Sequence, residues 1–391
     1  MDVDKIRRDF EILRTGVIYM DSAASSLTPT PVLKKIMEYY NEYRANIHRG
    51  IYSLSQIASE EYDSARRSVA GFINASLDEL VFTKNTTEGI NLIALSLEFG
   101  KGDRIITTSM EHHSNLLPWL RLRKQGVKVE VVDPDTDGLL DVDEFKKIID
   151  DETRLIAVTH VSNVLGSVNP VKEIGEIARE HNALYLIDGA QSAPHIPIDV
   201  KKIGCDFFAF SSHKMLGPTG VGALYLRKEL AEEMTPAVLG GGTIEEVGVD
   251  GYRLTKPPAR WEAGTPNIGG VIGFGEAVNY LKETGLENIE EHERTLTQEM
   301  VSGLREITGV EVYCPAGRSI GIIPFNLQGM NPHEVAKGLD KNRIMVRSGH
   351  HCAMPLMNLL RIDGCVRASL YLYNTLEEVE KFISSIQEMG R

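Results

Sequence analysis

The sequence predicts a mostly parallel α/β sheet with helices on both faces, followed by a smaller α+β unit. Three observations carry that expectation. Through the middle of the chain short β-rich runs alternate with longer helical patterns, the rhythm of repeated strand–helix–strand units. The β-rich runs are continuously apolar rather than alternating, as strands buried on both faces must be. A stretch rich in Gly and Pro then interrupts the rhythm, and the C-terminal part of the chain mixes strands and helices differently.

The strands are expected at "DRIITTS" (103–109), "KVEVVDP" (128–134), "RLIAVTHVS" (154–162), "ALYLIDGA" (183–190), "CDFFAFSS" (205–212) and "GVGALYLR" (220–227). Between them "TTEGINLIALSLEFG", "LLPWLRLRKQG", "DVDEFKKIIDD" and "VKEIGEIAREHN" carry helical periodicity. From Gly240 to Gly270 the Gly and Pro content argues for ordered loops or an inter-domain crossing, without regular elements. Residues 270–310 look helical, and the tail offers "IGIIPFNLQ", "HEVAKGLDKN", "IMVRSGHH", "CVRASLYLY" and "LEEVEKFISSIQEMG" as a small α+β unit. The expected division is a large domain over 18–262 and a small domain made of 1–17 and 263–391.

Composition narrows the function. Lys and Arg number 42 against 55 Asp and Glu, a net charge of −13. Nucleic acid is therefore not an expected partner, since phosphate contacts need clustered cations. No apolar run is long enough for a membrane span, and the charged N-terminal residues lack the apolar core of a secretory signal. A cytoplasmic protein is expected. The four cysteines, Cys205, Cys314, Cys352 and Cys365, fit no zinc framework. No metal is expected, and three of the four read as reduced thiols.

Candidate chemistry gathers at the strand ends. Asp188 closes the β-rich run "LYLID", and Lys214 sits in a polar stretch just after the next strand, behind Ser211, Ser212 and His213. Open α/β sheets bind ligands at the carboxyl edge. A lysine and a carboxylate held there are the two main handles on pyridoxal 5'-phosphate, one for the Schiff base and one for the pyridinium nitrogen. Taken singly, each reads more often as an ordinary surface lysine or a strand-end turn aspartate. Thr86 and Thr87 open a helical pattern, whose free N–H groups suit a phosphate, with a plain N-cap as the other reading. Gly89 would let the backbone pass close to a ligand. His112 offers a flat ring to a planar group. Its neighbour His113 is expected to point to the opposite side, which argues against a shared metal. Asn163 ends another strand, where its amide suits a cofactor oxygen or a simple turn.

The ordered set "NIHRGIYSLS", "NTTEGIN", "MEHHSN", "THVSNVLG", "DGAQS", "SSHKMLGPTG", "RWEAGTPN" and "RSGHHCAMPLM" resembles the class V aminotransferase group of fold-type-I pyridoxal-phosphate enzymes, and within it the SUF-type (group II) cysteine desulfurases. The resemblance runs nearly end to end. One departure is Ser212, where the usual bacterial version has glycine; serine is tolerable there if φ stays negative.

The resemblance implies Lys214 as the Schiff-base lysine, Asp188 on the pyridine nitrogen and His112 stacked on the ring. It puts Asn163 and Gln191 near the ring hydroxyl, and Thr86, Thr87, Ser211 and His213 around the phosphate. Thr265 would reach that phosphate from the second subunit of a homodimer. Arg367 would clamp the substrate carboxylate, with Asn163 and Arg347 beside it, because a guanidinium fork matches a carboxylate. Cys352 would accept the sulfur of L-cysteine as a persulfide, with L-alanine as the other product. Arg347, His350 and His351 would help keep Cys352 ionised. The sulfur would pass to an acceptor protein or Fe–S scaffold. His333, in the first turn of an expected helix, would serve that delivery in relatives that hand sulfur to a zinc-bearing partner; otherwise it is a solvated first-turn residue. A selenocysteine lyase or another class V enzyme is the alternative. A non-enzymatic metal carrier built on "HHC" leaves Lys214 and Asp188 unexplained.

Overall fold

A computed structural model describes residues 1–315 and 317–390. The large sheet has seven strands: β1 (Leu80–Thr83), β2 (Arg104–Thr108), β3 (Lys128–Val132), β4 (Thr153–Thr159), β5 (Leu184–Asp188), β6 (Phe207–Ser211) and β7 (Gly222–Leu226). They lie in the order β1-β7-β6-β5-β4-β2-β3. β2, β3, β4, β5 and β6 pair in parallel. β7 is antiparallel to both β6 and β1, so β1 runs with the parallel set and β7 against it. The carboxyl ends of β1, β2, β4, β5 and β6 therefore share one edge.

The expected six strands are present. β1 is a seventh that the sequence does not announce: four apolar-to-neutral residues, all buried, carry no periodicity by which to find them. Two long helices are also additions to the expected set, α1 (Thr30–Glu42) and α2 (Ser53–Phe72). α2 buries Ala58, Tyr62, Ala65, Arg66, Val69 and Ala70, a stripe recurring at three and four residues. Helix α3 (Thr86–Ser96) follows β1, and α4 (Val171–Glu180) precedes β5. The stretch 240–270 is not devoid of regular elements. It holds an antiparallel hairpin, β8 (Ile244–Gly248) and β9 (Gly251–Leu254). β8 and β9 are almost wholly exposed on both faces, so they lack the apolar alternation that marks a half-buried strand.

Helices α5 (Ile268–Thr284) and α6 (Leu286–Arg305) come next. α5 packs so closely on α2 that a Cβ at Gly275 would lie 2.6 Å from Ala65 Cα. The tail forms a second sheet of β10 (Val310–Val312), β11 (Ile322–Leu327), β12 (Arg347–Gly349) and β13 (Cys365–Ser369), in the antiparallel order β10-β11-β13-β12. Helices α7 (Pro332–Lys341), α8 (Met354–Leu360) and α9 (Leu376–Met389) complete it.

The apolar clusters draw on both ends of the chain. Phe10 and Leu13 pack into the main cluster, together with Val271, Phe274 and Leu281 of α5. Ile18 and Met20 belong to the cluster of the tail, beside Leu296, Phe325 and Phe382. The cause is a parallel pairing of Ile18 and Tyr19 with Ile344 and Met345. No helix among the described residues is long and apolar enough to cross a membrane.

Candidate active site

A cleft of about 310 Å³ opens at the shared carboxyl edge, between the large sheet and the tail sheet. Twelve of the residues singled out from sequence line it: Thr86, Thr87, His112, Asn163, Asp188, Gln191, Ser211, His213, Lys214, Arg347, Cys352 and Arg367. Thr265 does not; it is exposed in the segment after the hairpin. Asn85, Ser114, Thr159 and His351 also line the cleft, and nothing in the sequence assigns them to a ligand.

Asp188 is the last residue of β5, with Cα partners Thr159 on β4 and Ala209 on β6. Its Oδ1 accepts from Ala190 N at 2.9 Å. Burial raises its pKa, opposed by that N–H and by Lys214. Lys214 closes a single 3-10 turn (Ser212–Lys214) rather than a loose loop. The turn is anchored because the adjoining Met215 and Leu216 are fully buried, and because the His213 carbonyl accepts from Ser26 N at 2.9 Å. Burial brings the Lys214 pKa down to about 8, against the pull of Asp188. A lysine so placed is a deprotonated amine for an appreciable fraction of the time near neutral pH. Ser212 has no positive φ, as its replacement of glycine requires.

At the start of α3, Asn85 is the N-cap, its Oδ1 accepting from Glu88 N at 2.9 Å. The threonines are therefore first-turn residues and not the cap. Thr86 N donates to Ser211 Oγ at 2.8 Å, and the two hydroxyls lie 2.7 Å apart. Gly89 faces the sheet and not the cleft: a Cβ there would stand 3.4 Å from Ala209 Cβ. Its role is close helix–sheet packing.

His112 caps a 3-10 turn (His113–Asn115) and does not lie in a strand. Its Nδ1 accepts from Ser114 N at 3.1 Å, which puts the neutral ring's proton on Nε2. Burial, then Lys214, brings its pKa down to about 3. His213 is likewise held neutral, at about 4, by burial and then Lys214.

Arg367, on β13, is buried. Its Nη1 donates to the Asn163 carbonyl at 2.8 Å, Nη2 lies 3.5 Å from Asp21 Oδ1, and Nε is buried without a protein partner. Asn163 Nδ2 donates to the His351 carbonyl at 2.8 Å. Gln191 Nε2 donates to the Ala23 carbonyl at 2.7 Å, and its Oε1 is buried without a partner. Arg347 is the β12 partner of Arg367 in the sheet register, but it spends its guanidinium on Asp21. Cys352 is exposed, whereas Cys205, Cys314 and Cys365 are buried.

The expectation that His351 helps ionise Cys352 fails. Its ring is buried, its Nε2 pairs with the Cys365 carbonyl at 3.0 Å, and burial followed by Arg367 brings its pKa down to about 3. An imidazole that stays neutral supplies no positive field. Arg347 keeps its charge but shares it with Asp21, a residue nothing in the local sequence connects to the cleft.

The profile of the aminotransferase class-V family matches residues 18–382. The chain belongs to the class-V aminotransferase family. A probable cysteine desulfurase of Pyrococcus abyssi is 48% identical to this class-V chain, over 99% of it and 97% of the relative. A cysteine desulfurase of Escherichia coli is 44% identical over 100% of this chain and 98% of its own. The solved structure of a cysteine desulfurase from Thermococcus onnurineus NA1 superposes with a TM-score of 0.96 at 48% identity, covering 99% of this chain and 97% of that one.

Class-V enzymes work with pyridoxal 5'-phosphate, and the residues present fit that group. Asp188 and Lys214 are handles of the right chemistry. The first turn of α3 supplies N–H groups for a phosphate. The partnerless Gln191 Oε1 and Arg367 Nε are buried polar atoms that a ligand in the cleft would satisfy.

Proposed function

We infer that this class-V enzyme is a pyridoxal-phosphate-dependent cysteine desulfurase, with L-cysteine as substrate. The observation that carries the reading is that one exposed thiol, Cys352, opens onto the same cleft as the buried Lys214, Asp188 and Arg367. A transaminase has no use for that thiol.

Pyridoxal phosphate, when bound, supplies the electron sink that makes the Cβ–S bond of cysteine breakable. Lys214 would attach the group and, with its lowered pKa, would take and return a proton at the substrate Cα. Asp188 would hold the ring nitrogen in its protonated form. His112 would face the ring as an uncharged imidazole, and Gln191 and Asn163 would serve the ring oxygen. Thr86, Thr87, Ser211 and His213 would hold the phosphate. Arg367, in the cleft lining, binds the substrate carboxylate, with its buried Nε as the donor that has no protein partner. The Cys352 thiolate attacks the substrate sulfur. An S–S bond forms, the Cβ–S bond breaks, and Cβ takes up a proton. One sulfur moves, L-alanine leaves, and no external oxidant or reductant is needed.

The reading extends to a homodimer in which Thr265 completes the partner's phosphate site. Its support is that Thr265 is exposed outside its own chain's cleft, and that the chain leaves large apolar side chains in solvent, Ile51 at 95% exposure and Val249, at the hairpin tip, fully so. It extends further to a SUF-type role in the cytoplasm, supplying sulfur to an Fe–S scaffold. His333 supports that role. It is exposed at the start of α7, its Nδ1 lies 2.7 Å from Ser348 Oγ, and this leaves Nε2 open to a partner's metal.

The test is the absorbance of the purified holoprotein. Wild type is expected to be yellow and to release sulfide from L-cysteine with a reductant. Lys214→Ala should stay folded and lose the reaction. Wild-type sulfide release by Lys214→Ala would remove the reading.

A further inference from the structure

His113 lies beside the cleft and has no part in the chemistry above, yet it is bonded twice to the segment that carries Cys352. Its backbone N–H donates to the Cys352 carbonyl at 2.7 Å. Its imidazole Nε2 accepts from the Met354 backbone N–H at 3.2 Å.

The segment needs such support. His351 and Cys352 are consecutive non-glycine residues with φ of 51° and 56°. Side chains crowd the backbone there, and such residues persist only where surrounding contacts over-determine them. Helix α8 begins directly afterwards, and its N-cap residue, Ala353, has no side chain able to accept a hydrogen bond. The first amide of α8 would be orphaned. His113 takes the place of the missing cap from another element of the fold. Further ties are Asn163 Nδ2 on the His351 carbonyl at 2.8 Å, His351 Nε2 on the Cys365 carbonyl at 3.0 Å and Ala353 N on the His350 carbonyl at 2.9 Å.

We propose that His113 is the positioning residue of the sulfur-accepting segment, holding Cys352 at the mouth of the cleft through its neutral imidazole. The proposal rests on the desulfurase reading. The imidazole can accept from Met354 only while Nε2 is unprotonated. Burial and then His350 lower its pKa from the ordinary 6.5. The titratable groups facing it are His350 and Cys352 in the segment it holds and His112 on its own turn, whose ring centroid is 6.4 Å away. The clamp is therefore intact at neutral pH and released as pH falls below the ordinary imidazole range. Gln at 113 would keep an acceptor near the place of Nε2 at every pH; Ala would keep only the backbone contact.

The experiment uses the holoenzyme and single turnovers of L-cysteine between pH 5 and 8. It follows the absorbance change on cysteine binding separately from persulfide on Cys352. In wild type, persulfide formation should fall on the acid side. His113→Ala should bind cysteine within about twofold of wild type and form persulfide roughly ten- to a hundredfold more slowly, the scale of a small misplacement of a reacting atom. The acid limb set by Lys214 and the Cys352 thiol should remain in every variant, while the additional fall that wild type shows from release of the clamp should be absent from His113→Ala. His113→Gln should restore most of the rate and lack that additional fall. Wild-type rate and pH profile in His113→Ala, or an acid limb in His113→Gln as steep as that of wild type, would overturn the proposal. Absence of persulfide on Cys352 in wild type itself would overturn the desulfurase reading beneath it, which separates the two failures.

Discussion

Arg347 grips Asp21 with two prongs, although the two residues stand 326 positions apart. Arg347 Nη2 is 2.9 Å from Asp21 Oδ2, and Nε is 3.2 Å from each carboxylate oxygen. The same carboxylate lies 3.5 Å from Arg367. Asp21 thus compensates two guanidiniums that the tail sheet places side by side, while Arg367 Nε keeps no protein partner.

The two arginines should therefore differ as substrate ligands. Arg367→Ala removes a buried guanidinium that faces the cleft. It should raise KM for L-cysteine about a hundredfold, corresponding to about 3 kcal/mol for a lost charge-assisted pair. Arg347→Ala should cost much less, about tenfold at most, because its guanidinium is already spent on Asp21. Steady-state kinetics of the two variants decide it. An effect of Arg347→Ala as large as that of Arg367→Ala would restore Arg347 as a direct substrate ligand.

Thr265 tests the shared site. It is exposed and outside its own chain's cleft. Lys214→Ala and Thr265→Ala chains should each be nearly inactive. Mixed with proven subunit exchange, they should regain activity, since one of the two sites in a heterodimer has neither lesion. Activity that never exceeds the sum of the parents would place Thr265 outside the catalytic site.

His333 tests delivery. His333→Ala leaves the cleft untouched, so sulfide release with a small-molecule reductant should stay within about twofold of wild type. Stimulation by a zinc-bearing acceptor protein should be lost, because Nε2 is the open ligand. Equal stimulation of both proteins would return His333 to a helix-start residue and nothing more.

The sheet edge was legible in the sequence because β4 to β7 are unbroken apolar runs that stop at polar residues. Asp188 and Lys214 could be placed on that edge with no contact known. The pieces that were not legible depend on distant partners. Asp21 sits in a short segment that the tail captures by pairing Tyr19 with Met345. The hairpin carries apolar residues outward, at Val247 and Tyr252, and so lacks a buried face to betray it. His113 reads as one of two loop histidines until the fold brings Met354 to its ring. Likewise His351 adjoins Cys352 in sequence, yet the αL backbone turns its ring to the Cys365 carbonyl.

Transfer of sulfur from L-cysteine to Cys352 is the step on which everything else depends. The direct measurement is peptide mass spectrometry of the holoenzyme after anaerobic reaction with L-cysteine, with alanine assayed in the same samples. The expected result is a gain of one sulfur atom on the peptide bearing Cys352, matched by one L-alanine per chain, and neither gain nor burst of alanine in Cys352→Ala. Sulfur on Cys205, Cys314 or Cys365, or an undiminished alanine burst in Cys352→Ala, would contradict the account.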